Sequence, residues 1–252
     1  MTLFISHVHA DLRRSRLTRR GATHRVEDVP RGTHKQYPRM EQIALPAPRP
    51  ITNTLAETLQ NRHSCFSCDY ETPFTLEELG SLLGHAFQKR PDSQSRNYPS
   101  GGALYPIETY IFTSQLKGHE PAAFHYNPTG HTLEKLWALP PGFDMKSLAQ
   151  YPEGLMFSTL IVFTAVWKRS SAKYGDFTYT LALLEAGHMS ENIVLTATAL
   201  GLASRPMTGF NDDVIPTLLD LNEEDEQPVH SVVLGKKSAY TAKKEGNFYT
   251  ED

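Results

Sequence analysis

The segment from Thr178 to Leu200, TYTLALLEAGHMSENIVLTATAL, constrains the fold of this 252-residue chain more than any other. It is long, rich in helix formers, and closed by Gly201, the residue type best suited to a left-handed helix cap. Its polar residues do not collect on one face, because Glu185, His188 and Asn192 lie amid Leu181, Leu184, Leu195 and Ala199. A helix patterned in this way is buried in a core or a dimer interface and carries polar groups into it.

The remaining elements supply what such a helix packs on. Thr75-Leu-Glu-Glu78 is a capping box, in which the threonine hydroxyl accepts the N3 amide and Glu78 reaches back to the cap amide. Leu76, Leu79, Leu82, Leu83, Ala86 and Phe87 then fall at helical spacing on one face. Residues 107–113, IETYIFT, and 159–167, TLIVFTAVW, are β-branched and aromatic and read as strands, the second buried on both faces. FHYNPTGHTLEKL reads as a hairpin turning at Asn127 to Gly130. Residues 214–219 suggest a short helix, and VHSVVLGKK a last strand. Regular structure is expected to begin near Thr52, where Leu55 and Leu59 stand one turn apart. Mixed strands and helices around one long central helix predict an α+β domain. No GxGxxG follows a strand, which argues against a dinucleotide-binding sheet.

Charge divides the chain. Residues 1–50 carry ten Lys and Arg against four Asp and Glu, whereas the rest carries fifteen against twenty-four. From Asp11 to Pro50 the chain reads as a basic, extended or partly ordered arm, followed by one domain over 51–252. The arm lacks aromatic interleaving, so no nucleic-acid partner is expected. No run approaches ~18 apolar residues, and the first residues lack the pattern of a secretory leader. The expectation is a cytoplasmic protein with no membrane contact. Cys65 and Cys68 are the two cysteines, which fits a reducing compartment. Their CxxC spacing has no second pair to complete a zinc site. His7, His9 and Asp11 imitate a metal-binding HxHxD but lack a further histidine, so no metal is expected.

Two segments carry chemistry. Arg62-His63-Ser64, after a helix, offers a guanidinium fork and a hydroxyl suited to phosphate, with Arg96, Lys236 and Lys237 as further cations. Pro99, Ser100, Gly101, Gly102, Ala103 and Leu104 form the most unusual segment. Paired glycines there let a flat ring approach the backbone and leave amides for its heteroatoms.

RNYPSGGALYPIE resembles the motif of the azoline dehydrogenase branch of nitroreductase-like flavoproteins, the group that contains microcin and streptolysin biosynthetic dehydrogenases. Other segments follow that family's order over residues 50 to 237. Arg62-His63-Ser64 resembles its phosphate-binding RxS, and Lys173-Tyr174 its essential Lys-Tyr pair. Glu185-Ala-Gly-His188 with Asn192 resembles its central-helix motif, and Pro206-Met207-Thr208-Gly209-Phe210 its late flavin-contacting turn. Phe66, Thr180 and Glu191 depart from the common pattern, where a second cation, an arginine and a glutamine are usual.

The resemblance implies a nitroreductase-like fold, with a central sheet and long buried helix, in a domain-intertwined homodimer that binds FMN at its interface. It implies oxidation of thiazolines or oxazolines in a precursor peptide, in a complex with cyclodehydratase subunits. That oxidation removes two electrons and two protons per ring, and Lys173 and Tyr174 are the candidates for proton chemistry. Amines and phenols titrate near ~10 in water, so such a base needs burial or a neighbouring cation. An NAD(P)H-dependent nitro- or quinone reductase on the same fold, and a mainly structural subunit of a cyclodehydratase complex, are the competing readings.

Overall fold

The computed structural model describes residues 8, 10–12, 14, 31–65, 68–91 and 93–237. Seven strands form one sheet in the order β1-β4-β3-β2-β5-β7-β6, with every neighbouring pair antiparallel. The strands are β1 (Glu41–Ala44), β2 (Ile107–Thr113), β3 (Ala122–Asn127), β4 (Thr132–Ala138), β5 (Thr159–Val166), β6 (Leu202–Met207) and β7 (Glu226–Lys236). The α-helices that pack with them are α1 (Leu55–Asn61), α2 (Leu76–Phe87), α3 (Lys168–Tyr174), α4 (Phe177–Ala199) and α5 (Val214–Leu218). This is the α+β architecture with a long central helix that the sequence predicts.

Both faces of the sheet are covered, which is why β5 reads as an unbroken apolar and β-branched run rather than an alternating one and why every residue of β2 is buried. On the first face, Ile107, Ile111, Ile161, Phe163, Val232 and Leu234 pack under α2 and α4. The α2 stripe of Leu79, Leu82, Leu83, Ala86 and Phe87 is fully buried there. On the second face, Tyr110, Phe112, Leu160, Val162 and Val233 lie with Leu148, Phe157 and Ile215.

Local signals explain the element ends. The Thr75–Glu78 capping box is present, and Thr54 with Glu57 forms a second one ahead of α1. Asn127 Oδ1 accepts from the Thr129 and Gly130 amides and turns the β3–β4 hairpin. Gly201 follows α4 with φ +72°, as a left-handed cap. The mixed polarity of α4 has a specific origin. Ala182, Ala186, Met189, Ile193 and Ala197 face the sheet with Glu185 among them, while Tyr179, Leu183 and Leu184 stay exposed on the other side.

Regular structure begins earlier than Thr52. β1 adds an edge to the sheet by pairing with β4, and four residues are too few for their alternation to show in the sequence. Before it, residues 32–37 cross the second face over a buried polar network. Glu108, Glu134 and Glu226 are there matched by His125, Arg169 and Lys35. His125 sits between two carboxylates, at 2.8 Å from Glu108 and 2.7 Å from Glu134. Arg169 and Lys35 pair with Glu108 and Glu226, and the Lys35 amide donates to Glu108 at 2.5 Å. Tyr37 and Tyr110 join their hydroxyls at 3.0 Å, and Tyr110 donates to Glu226.

Burial by itself depresses the imidazole of His125, but the two carboxylates outweigh it and hold its pKa above the ordinary 6.5. Burial opposes ionisation of Glu108 too, yet His125 and Arg169 hold its carboxyl well below the usual range. His125 therefore stabilises the fold fully below about pH 6.5, and this contribution is lost as pH rises through its folded value. Glu108 contributes above about pH 4.5 and loses its part as pH falls. The thermal midpoint should thus decline on both sides. His125→Leu, which leaves two buried carboxylates without the cation between them, should cost about 3–5 kcal/mol in urea unfolding and remove the alkaline decline. An unchanged pH profile in that variant would contradict the charged imidazole.

Candidate functional site

The segment before β2 holds two of the four non-glycine residues with positive φ among the described residues. Gly102, Ala103 and Tyr105 have φ of +66°, +56° and +51°, which for Ala and Tyr is a left-handed conformation costing about 1–3 kcal/mol each. Several bonds hold them there. The Ala103 amide donates to Ser100 O, and the Tyr105 amide to Ser100 Oγ at 2.9 Å. The Tyr105 hydroxyl accepts from the Arg96 amide, its carbonyl accepts from Arg169 Nη1, and the Gly32 amide donates to Ala103 O.

Lys173 and Tyr174 form the last turn of α3 and meet this turn. A Cβ added to Gly102 would stand 2.7 Å from Tyr174 Oη and 2.8 Å from Lys173 Nζ, so both polar ends converge over a backbone that has no side chain. Lys173 Nζ also lies 5.1 Å from the centre of the Tyr174 ring. Arg169, about one turn earlier in the same helix, ties α3 to Glu108 on β2 and to the Tyr105 carbonyl. Nothing in the sequence pattern distinguishes it from a solvated arginine. Leu181 of α4 packs against Gly101 from the other side. Pro99 and Gly102 are exposed, Ser100, Gly101 and Ala103 half-buried, and Leu104 is buried in the core.

The second group of residues lies elsewhere on the sheet. Arg62 and His63 are half-buried and Ser64 is exposed, in extended chain after α1. The Cys65 amide donates to Ser204 O, which attaches this segment to β6. Pro206 and Met207 end the same strand, while Thr208 is exposed and Gly209 is half-buried against the Tyr151 ring. Strands β5 and β7 separate β6 from β2, so within one chain the Arg62–Ser64 and Pro206–Gly209 group is set apart from Gly102, Lys173 and Tyr174.

Three expected cofactor contacts have partners within the fold. Arg96, read as a further cation for phosphate, is 5% exposed. Its guanidinium donates to Tyr98 Oη at 2.7 Å and to Thr33 O at 3.0 Å, and it stacks 4.5 Å from the Tyr105 ring. Lys236 pairs with Glu78 at the cap of α2 and lies over Phe74. Asn192 donates to the Ala86 and Asn97 carbonyls, holding α2 to the loop that leads into Pro99. Sequence marks all three as polar and leaves their direction open. Lys237 is exposed beyond the end of β7.

Cys65 and Cys68 are both buried thiols, with Ala203. The hydrogen bond to Cys65 and then burial push the Cys68 thiol up, which makes it an unreactive group. Among the described residues no three His, Cys, Asp or Glu gather in a metal-binding group; His7 and His9 lie outside them. No helix among the described residues is long and apolar enough to cross a membrane.

The nitroreductase family model matches residues 59–236, and the chain belongs to that family. Among proteins it resembles is MJ1384 of Methanocaldococcus jannaschii, described as a nitroreductase, at 27% identity over 80% of this chain and 96% of that one. Another is the microcin B17-processing protein McbC of Escherichia coli, 29% identical over 64% of this chain and 62% of McbC. The fold is also that of a chain in the E. coli microcin synthetase McbBCD complex with truncated pro-MccB17 bound. The TM-score is 0.62 at 21% identity, over 92% of each chain.

The geometry at Gly102 predicts the result of filling it. Gly102→Ala should fold with a loss of about 1 kcal/mol from the forced positive φ, and its methyl should displace the Tyr174 hydroxyl and Lys173 amine. A crystal structure of the variant with both groups unmoved would refute the convergence.

Proposed function

We propose that this protein is an FMN-dependent dehydrogenase that oxidises thiazoline or oxazoline rings in a precursor peptide to the aromatic azoles. The observation that carries the reading is the meeting of Lys173 Nζ and Tyr174 Oη over the bare backbone of Gly102. Hydride transfer to a flavin does not of itself require an amine and a phenol there; removal of a carbon-bound proton requires a base, which such a pair can supply. The 29% identity with a microcin B17-processing protein supports a peptide substrate, and with it cyclodehydratase subunits as partners.

The chain's surfaces fit the cofactor. Gly102 is an exposed position where any side chain would fill the space above the turn, as a cradle for a flat ring requires. Pro99 to Ala103 and Pro206 to Gly209 would flank that ring, and Arg62, His63, Ser64 and Lys237 would take the phosphate. FMN, when bound, supplies the acceptor for two electrons and one hydrogen of the ring. A homodimer brings one chain's Arg62–Ser64 group to the other's Gly102 turn. The exposed Tyr179, Leu183 and Leu184 of α4, with Leu55 and Leu59 of α1, offer an apolar surface for it.

Lys173 acts as the base. The ring carbon between the C=N nitrogen and the peptide carbonyl carries an acidified hydrogen; its C–H bond breaks, the proton passes to the Lys173 amine, and the electron pair enters the ring as the adjacent ring carbon gives up a hydrogen with its own electron pair. Tyr174 orients the amine or the ring by hydrogen bonding. Arg169 holds their helix to β2 through the buried Glu108.

Purified protein should be yellow, with a released FMN spectrum. Lys173→Ala should keep the flavin and lower the rate of the 2 Da loss per ring, read by mass spectrometry on an azoline peptide, by about 10²–10⁴-fold. Normal azole formation in that variant would remove lysine from the mechanism. Rapid bleaching by NADPH without any azole formed would favour a reductase instead.

A further inference from the structure

Glu185 is the one acidic residue that α4 carries into the core among the described residues: it is 2% exposed, with Ala182, Ala186 and Met189 around it on the same face. Its Oε2 accepts a 2.5 Å hydrogen bond from the Ser100 hydroxyl. The same Ser100 oxygen accepts the Tyr105 amide, and Ser100 O accepts the Ala103 amide. The carboxyl therefore reaches the Tyr105 end of the left-handed run through the Ser100 hydroxyl, while the backbone carbonyl of the same residue holds Ala103. Oε1 has no hydrogen-bond partner, although a carboxylate has capacity for more.

We propose that Glu185 is a positioning residue of this site, which through Ser100 sets the conformation of the Gly101–Tyr105 turn and so the place where Lys173 and Tyr174 meet their ligands. The proposal rests on the reading of that turn as the flavin- and substrate-facing surface. It adds a control that the chemistry itself does not name. As a carboxylate, Glu185 only accepts, so the Ser100 hydrogen must point to it and the Ser100 lone pairs remain for the Tyr105 amide. As an acid, Glu185 can donate, the Ser100 hydrogen loses its obligatory acceptor, and the charge-assisted bond weakens.

The surroundings place this change in the physiological range. Burial is the largest influence and raises the carboxyl; Ser100, the Arg96 and Arg169 guanidiniums and the Ile107 amide oppose it, and the balance is pushed up to about 7. Arg96 faces it from the loop before the turn and Arg169 from α3. Glu108 on β2 is held ionised by His125 and Arg169, so it does not titrate in the same interval.

The test uses the full chain without added flavin. Backbone ¹⁵N–¹H shifts of Gly101, Gly102 and Tyr105 should move together with pH, with a common midpoint near about 7. In Glu185→Gln, whose amide oxygen still accepts from Ser100, that titration should vanish. In Ser100→Ala the carboxyl should still titrate by ¹³C shift while the glycine amides no longer follow. Independent movement of the three amides, or the same midpoint in Glu185→Gln, overturns the proposal. So do glycine amides that still follow the carboxyl in Ser100→Ala, the variant that decides if Glu185→Gln fails to fold. With FMN added, the pH dependence of its affinity should likewise disappear in Glu185→Gln. A chain that binds no FMN or forms no azole, yet retains the amide titration, defeats the preceding reading and leaves this one standing.

Discussion

A carboxylate can remain ionised inside a protein when cations and donors surround it, and the second face of this sheet is arranged around that requirement. Glu108 accepts from His125, Arg169 and the Lys35 backbone, each from a different part of the chain. Removing any one partner leaves charge in a region of low polarisability, where it is expensive. The network thereby fixes the strap at residues 32–37, the β3–β4 hairpin and helix α3 relative to one strand. The site inherits its rigidity from this arrangement, since α3 carries Lys173 and Tyr174 and the strand begins just after the glycine turn.

The turn between Ser100 and Tyr105 is held against its own backbone preference. Left-handed conformations at Ala103 and Tyr105 persist because donors and acceptors of Gly32, Arg96, Ser100 and Arg169 over-determine them. The strained turn leaves the Gly102 backbone exposed beneath two converging polar groups. The surrounding polar side chains that look like ligands are largely the supports of this turn. Arg96 stacks on and bonds to its neighbours, and Asn192 secures the loop that enters it.

Much of this was legible in the residues. The capping box at Thr75, the Asn127 turn, the Gly201 cap and the doubly buried β5 each follow from local chemistry, and each is present in the structure. The Lys173-Tyr174 pair and the paired glycines stood out as a motif; their contact over Gly102 was not visible, because seventy residues separate them. β1 was missed because a four-residue edge strand in a proline-punctuated segment has no readable period. Arg169 and Glu185 look like any arginine or glutamate of a helix until burial and partners are known.

The sequence by itself determined the class of fold, the order of its elements and the turn whose glycines leave a backbone bare, since these depend on periodicity, caps and φ preference over a few residues. Only the tertiary structure decided which of the polar side chains find partners within the fold. That distinction rests on where a charge finds its counter-charge. Arg96, Lys236 and Asn192 have partners within the fold, whereas Lys173 and Tyr174 end together above Gly102, and long-range electrostatic pairing of this kind has no signature in the spacing of residues along a chain.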